Sequence, residues 1–443
     1  MDWAQYAEAV AYRSLHFVRE APPTLVALAF VTLLLGSAVF LYSFVFLLAP
    51  IPRPSLPSEK TYKTILPDGS TSSPQPLPCW LDSHVARKNL ARRKQGKTTS
   101  VKTKLLEDFP LEDAELFMSV VIPAYNEAER LGGMLSEAVD FLQNAYGDAH
   151  GPKIEEQKPS TSAMERRVSG NGITVTPVNG SPKQPPGSPK QPGTKKSTSG
   201  RGWEILIVSD GSTDGTVDTA LSFARDHQLE QYPAPIQGPW NKKPASTHIP
   251  HGSIRVISLE ENRGKGGAVV HGMRHVRGEY VVFADADGAS KFDDLAGLVE
   301  GVKRVEDKER RGVGIGSRAH LVGSEAVVKR SRIRNFLMHS FHLLLRLMTP
   351  PATSRIRDTQ CGFKLFSRAS LPYIVPYMHS EGWIFDVEML MLAELGNIPM
   401  IEVPVGWKEV LGSKLNVLKD SLGMAWGLAI LRLAWAMGVY RRS

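Results

Sequence analysis

From Leu25 to Leu48 the chain runs 24 residues without a charge or a proline. At about 1.5 Å rise per residue, a helix of that length crosses a hydrocarbon core of about 30 Å. The segment is therefore expected to be a membrane anchor, and the chain beyond it is expected to work at a membrane surface. A cleaved signal peptide is the alternative. Its apolar core would be only about 7 to 15 residues, and no small-x-small cleavage pattern precedes the Ala49-Pro50-Ile51-Pro52 break. Asp2, Glu8 and Glu20 outnumber Arg13 and Arg19 before the span, whereas Arg53, Lys60, Lys63, Arg87, Lys88, Arg92, Arg93, Lys94 and Lys97 come after it. Positive flanks stay in the cytosol, so residues 1–24 are expected to be a short lumenal N-terminus and the large C-terminal portion cytosolic.

The net charge of +8 suits an acidic partner: a nucleotide diphosphate, a phospholipid surface or a nucleic acid. Nucleic acid is not expected, because the basic residues cluster beside the span and no aromatic-basic recognition module occurs. Two cysteines, Cys79 and Cys361, can build neither a disulfide framework nor a zinc cluster, in keeping with a reducing compartment. Residues 49–115 are proline-punctuated and basic, and read as a juxtamembrane linker lying on anionic headgroups, with a solvated tether as the plain alternative. Residues 147–202 are rich in Pro, Ser, Gly, Lys and Thr, repeat Ser-Pro-Lys-Gln-Pro at 181 and 188, and are expected to be a disordered insertion. A second, looser insertion is expected at about 232–251.

Between these stretches, apolar runs end repeatedly in polar groups. Met118-Ser-Val-Val-Ile-Pro-Ala-Tyr-Asn-Glu127 reads as a buried strand entering a loop, then a helix with Leu131, Leu135, Val139 and Leu142 on one face. Strand 203–209 leads into Asp210-Gly-Ser-Thr-Asp214, whose Ser and Asp can also simply cap the next helix. Strand 254–259 leads into Asn262-Arg-Gly-Lys-Gly-Gly267, where Lys265 in a glycine-rich turn at a helix start forms an anion cradle without the Walker spacing. Tyr280-Val-Val-Phe-Ala-Asp-Ala-Asp287 ends in two carboxylates. At i and i+2 of an extended segment, Asp285 and Asp287 point the same way and can share one hard cation; a solvated turn is the plain alternative. Val313-Gly-Ile-Gly-Ser-Arg318 reads as a further strand ending in an arginine. Alternating strands and helices with binding groups at strand carboxyl ends predict an open α/β sheet around a nucleotide. Two segments are expected as amphipathic helices in the membrane interface: 330–348, with a core helix as the alternative, and the tail at 416–443. Asp386 and Glu388 read as groups that position substrate or as structural acids.

The ordered set Val-Ile-Pro-Ala-Tyr-Asn-Glu, Asp-Gly-Ser-Thr-Asp, Asn-Arg-Gly-Lys-Gly, Asp-Ala-Asp, Gly-Ser-Arg and Asp-Thr-Gln-Cys-Gly-Phe-Lys resembles the GT-A glycosyltransferases of family two, in their polyprenyl-phosphate branch. The resemblance implies a GT-A, Rossmann-like catalytic domain over 116–415 between the N-terminal transmembrane helix and the interfacial tail. It implies a metal-dependent, inverting hexosyltransferase of the endoplasmic reticulum membrane. UDP-glucose, dolichyl phosphate and the membrane lipids would be its partners, or GDP-mannose in the runner-up reading. A processive polysaccharide synthase lacks support, because no Q-x-x-R-W motif occurs, and a non-catalytic membrane scaffold is the reading of a different class. The implied nucleotide contacts are Pro123, Tyr125, Glu127, Val208, Asp210, Lys265, Asp285 and Ala286, with Mg2+ or Mn2+ on Asp285 and Asp287. Arg318, Lys408 and Lys414 would hold phosphates, and Asp287 and Arg318 would carry the catalysis. Two departures stand out. Ser209 replaces the first acid of the family's usual pair, which implies weaker nucleotide binding, and Lys408 stands where related mannosyltransferases tend to have arginine, keeping the charge but losing the planar fork.

Overall fold

The structure is a computed structural model that describes residues 3, 12, 21–94, 109, 111–147, 202–232, 238–240, 247–321, 343–410 and 417–442. The expected insertion at 147–202, apart from its ends, lies outside the described residues, as do Lys414 and most of the 330–348 segment.

A small separate sheet pairs β1 (Thr61–Tyr62) with β2 (Gln75–Pro76). The apolar runs form the centre of a larger sheet of seven strands: β3 (Leu116–Ala124), β4 (Trp203–Asp210), β5 (Ile254–Leu259), β6 (Gly278–Ala284), β7 (Val313–Ser317), β8 (Phe363–Ser367) and β9 (Met400–Pro404). Their spatial order is β5-β4-β3-β6-β8-β7-β9. Strands β5, β4, β3 and β6 are parallel, with Ala124 opposite Ser209 and Val121 opposite Phe283. Their residues are buried on both faces, which is why they read as continuous apolar runs rather than alternating ones. Beyond β6 the sheet becomes mixed, since β8 runs antiparallel between β6 and β7.

Helices cover both faces. Helix α1 (Pro23–Leu48) is the expected anchor, long and apolar enough to cross a membrane. Within it only Val45 is buried, so almost its whole length stands clear of the domain. The basic segment beyond it contains α2 (Trp80–Lys94). The helix after β3, α3 (Ala128–Tyr146), buries Leu131, Leu135, Val139 and Leu142, as its periodicity requires. Helices α4 (Thr216–Gln228), α5 (Lys265–Met273) and α6 (Leu295–Val305) come after β4, β5 and β6, and α7 (Phe385–Leu395) precedes β9. The tail helix α8 (Val417–Ala436) buries Leu428, Leu431 and Ala434 against Val45, Ile384, Val387 and Met391, while Leu422 and Trp426 stay exposed. It is thus packed at the foot of α1, and Tyr440 Oη donates to Pro50 O at 2.6 Å.

The stretch expected as a juxtamembrane linker on headgroups, or a solvated tether, makes extensive contacts of its own. Residues 50–94 lie on the domain of the seven-stranded sheet, with Lys63 bridged to Val256 on the open side of β5. Helix α2 opens on Trp80, which is buried with Leu77 and Leu81 and whose Nε1 donates to Met273 O at 2.6 Å. The apolar residues responsible are few and set among lysines and arginines, so no periodicity announces them.

At the amino-terminal end of the parallel strands lies a charge cluster. Glu204 is fully buried, accepts from Ser119 Oγ at 2.6 Å and Arg277 Nε at 2.8 Å, and pairs with Arg255. Burial alone would raise its pKa, but the two arginines outweigh it and hold the carboxyl below its ordinary value. Stability from this ionisation is fully present above the unfolded pKa of about 4.3 and is lost as pH falls through the lowered folded value. Glu204→Gln is expected to destabilise the fold by roughly 3 to 5 kcal/mol at neutral pH, because Arg255 is left buried and unpaired. It should also flatten the acid limb of stability against pH, as denaturant titrations from pH 7 to pH 3 would check.

Candidate active site

Strand β3 sends its following helix toward β4 and β5, whereas β6 lies on its other side, so the crevice between the carboxyl ends of β3 and β6 is a topological switch point. Asp285 and Asp287 stand there with side chains 33% and 28% exposed. Asp287 Oδ1 accepts from Ala289 N at 3.0 Å, which fixes the turn. Gly362, on the loop entering β8, accepts from Asp285 N at 3.2 Å, and any Cβ there would overlap the Asp285 carboxylate. Glycine is what leaves that carboxylate room.

The carboxyl of Asp287 is raised in pKa, first by burial and then by Asp285 beside it. Lys265 answers that charge, its Nζ 2.5 Å from Asp285 Oδ1. Burial would lower the lysine's pKa, but Asp285, Asp386 and Asp287 together raise it, so the ammonium is held charged. No group of three or more His, Cys, Asp or Glu is gathered for a metal among the described residues. Two carboxylates with free solvent-facing edges nevertheless fit a hard divalent cation that takes its other oxygens from substrate and water.

The loops beyond β3 and β4 are knitted together. Asn126, at φ +54°, donates from its N to Ser212 Oγ and accepts from Thr213 N, and Glu127 N donates to Thr216 Oγ1 at 2.8 Å. Tyr125 is 40% exposed at the mouth, Pro123 is half-buried, and Glu127 holds Arg130 through bonds of 2.6 and 2.7 Å. Arg130 in turn reaches to 4.0 Å from Asp287.

Two of the expected contacts are deeply buried. Val208 is fully buried under α5, where a Cβ on Gly272 would press on it, so its side chain supports the sheet. Asp210 is 3% exposed, and its two oxygens accept from Arg263 N at 2.7 Å and Gly264 N at 2.9 Å. Burial pushes its pKa up to about 6 against those bonds. It clamps the glycine-rich loop. Ser209 is equally buried, within β4, and Ala286 is buried between the two acids.

Arg318 is set by Asp358, which accepts from its Nε at 2.7 Å and Nη2 at 2.8 Å. Burial opposes the arginine's charge, but the carboxylate outweighs it and raises its pKa further. The guanidinium lies 5.9 Å over Trp407 and keeps 32% of its side chain exposed. Lys408 donates to Pro239 O at 2.9 Å and sits 4.2 Å over the ring of Trp240. Trp240 belongs to the stretch expected as a loose insertion, yet its Nε1 donates to Gly288 O, next to Asp287, at 3.1 Å. Asp386 pairs with the fully buried Lys364 at 2.5 Å, and Glu388 accepts from Ser380 N at 2.7 Å, so both acids are held by partners within the protein. Sequence reasoning missed Arg130, Trp240 and Asp358. A lone tryptophan in a polar insertion and an acid opening the Asp358-Thr-Gln motif were the available signals.

Against known proteins, the model of Glycosyl transferase family 2 matches residues 194–372. A Saccharomyces cerevisiae protein named dolichyl-phosphate beta-glucosyltransferase is 36% identical over 97% of this chain and 98% of its own length. Proteins of the same name from Drosophila melanogaster and Homo sapiens are 37% and 31% identical, covering 76% and 73% of this chain and 79% and 77% of theirs. With the paired acids at a switch point of a Rossmann-like sheet and an apolar helix before it, the chain belongs to the dolichyl-phosphate beta-glucosyltransferase family of family-two glycosyltransferases.

Proposed function

We propose that this chain transfers glucose from UDP-glucose to dolichyl phosphate, with inversion, giving dolichyl β-D-glucosyl phosphate, a lipid-linked glucose donor for N-glycan precursor assembly. The observation that carries this reading is the Asp285–Asp287 pair, open to solvent in the β3–β6 crevice of a chain 36% identical along nearly its whole length to a relative of that name. Mg2+ or Mn2+ held by Asp285 and Asp287 would stabilise the charge that develops on the departing nucleoside diphosphate.

The chain's own residues do the rest. Lys265 brings to the diphosphate an ammonium whose charge the neighbouring carboxylates favour, while Tyr125 and Pro123 offer the surface for the nucleoside. Arg318, held in its fork by Asp358, and Lys408, seated on Trp240, grip the acceptor phosphate and screen repulsion between two anions. Lys414 would join them. A lipid monophosphate has a second pKa near 6, so at neutral pH it attacks as a dianion and needs no general base. None is assigned, in keeping with Asp386 and Glu388 being buried in other bonds. In-line attack on an α-linked donor gives the β-linked product. We place the enzyme in the endoplasmic reticulum membrane with its catalytic domain on the cytosolic side, on the strength of the basic residues after α1.

Detergent-solubilised full chain is expected to form a glucolipid from UDP-glucose and dolichyl phosphate, and none from GDP-mannose. Asp287→Ala should lower kcat by at least about 100-fold. Its Tm should stay at or above that of the wild type, because burial already disfavours that carboxylate. Transfer from GDP-mannose alone would reassign the donor, and nucleotide binding without transfer from either would favour a scaffold. The sequon Asn179-Gly-Ser181 tests topology. It should remain unglycosylated in cells, and an endoglycosidase-sensitive mass shift would place the domain in the lumen.

A further inference from the structure

The glycine-rich loop 262–267 carries Lys265 to Asp285, and it is held from three sides. Asp210 takes the amides of Arg263 and Gly264 from beneath. Behind it stands the segment 380–382. Gly267 N donates to Glu381 O at 3.1 Å, and Gly264, at φ +88°, approaches that carbonyl so closely that a Cβ would lie 2.7 Å from it. From outside comes the segment that leaves the membrane helix. Arg53 donates from N and Nε to the Glu381 carboxylate at 3.2 and 2.8 Å, and from Nη2 to Asn262 O at 3.2 Å. The loop reaches back: Arg263 donates from Nη1 to Arg53 O at 2.8 Å and from Nη2 to Pro54 O at 2.9 Å, and pairs with the buried Glu59 at 2.5 Å. Each arginine thus binds the backbone of the other's segment.

This clasp is tied directly to the anchor. Pro50, just past α1, accepts from Tyr440, whose ring stacks 3.6 Å from His379, and His379 N and Ser380 N both donate to the buried Glu388. The foot of the membrane helix, the tail, the 379–381 segment and the loop therefore form one connected body. A loop with glycines at 264, 266 and 267 has much conformational freedom to lose when a ligand orders it. Holding it in place beforehand removes that cost from binding.

We propose that the segment leaving the membrane anchor is part of the donor site. In it, Arg53 and its partner Glu381 are positioning residues that latch loop 262–267, and so set Lys265 for the diphosphate. The inference rests on the reading of this crevice as a nucleotide-sugar site. It makes the anchor's exit segment a working part of catalysis rather than a tether.

The test uses the full chain in nanodiscs, with Arg53→Ala, Glu381→Gln, the double variant, Arg53→Lys, and Lys60→Ala as a control. Lys60 belongs to the same segment but pairs with Asp82, away from the loop. Each single change at the latch is expected to raise the KM for UDP-glucose by about three- to tenfold with kcat changed far less. The KM for dolichyl phosphate should not move, and the double variant should be no worse than the poorer single one. Arg53→Lys should recover part of the loss, since it keeps the charge facing Glu381 without the reach to Asn262 O. A donor KM that moves no more than in Lys60→Ala, single effects that add, or a parallel rise in both KM values with a fall in Tm would overturn the proposal. If the wild type uses another nucleotide sugar, the glucose reading fails, and the latch stands or falls by the same pattern on that sugar's KM.

Discussion

Two carboxylates held side by side at the end of a buried strand repel each other and resist burial, and the arrangement of this active site answers that cost. Lys265 neutralises Asp285, and the raised pKa of Asp287 records what is still uncompensated. Such a pair is stable only if a cation is always at hand. Here the chain supplies an ammonium, and a divalent ion bridging to a diphosphate would supply more charge in the same place. The remaining elements fix the positions of those charges. Gly362 makes room for Asp285, Asp210 and Glu381 hold the loop that carries Lys265, and Asp358 locks Arg318 across the crevice.

Charge also alternates inward from the site. Lys364, Asp386, Lys265 and Asp285 form a run in which each group compensates its neighbour. Removing one member leaves another buried and unpaired, so the run is rigid, and rigidity is what transfer between two anions demands: both must be held against their mutual repulsion. The loop that carries Lys265 is joined through Arg53 and Glu381 to the segments that gather at the foot of α1. A lipid acceptor whose chain stays in the bilayer can present only its phosphate, so a site built at the anchor's base meets it where it emerges.

Much of the fold and the site is legible in the sequence because it is local. Buried parallel strands read as apolar runs, α3 as a stripe of Leu131, Leu135, Val139 and Leu142, and Asp285 and Asp287 as a pair by their spacing alone. The features that escape such a reading depend on residues far apart in the chain. Arg318 and Asp358 are 40 positions apart, and Arg53 and Glu381 are 328. The side on which Val208 lies depends on where α5 packs, and the engagement of Asp210 depends on where loop 262–267 crosses β4, neither of which a strand pattern carries. In sequence the 50–94 segment is known by its charges, of which Arg53, Lys60 and Lys63 lie outward, whereas its placement is decided by Trp80, Leu77, Leu81 and Glu59, which lie inward.

The claim on which everything else turns is that Asp285 and Asp287 bind a nucleoside diphosphate through a shared divalent cation. Electron paramagnetic resonance of Mn2+ titrated into the full chain, with and without UDP, tests it most directly. The account predicts weak Mn2+ binding alone, a large gain in bound Mn2+ when UDP is added, and loss of that gain in Asp287→Asn with the fold intact. UDP that binds equally well without metal, or Mn2+ retention unchanged by the substitution, would contradict it.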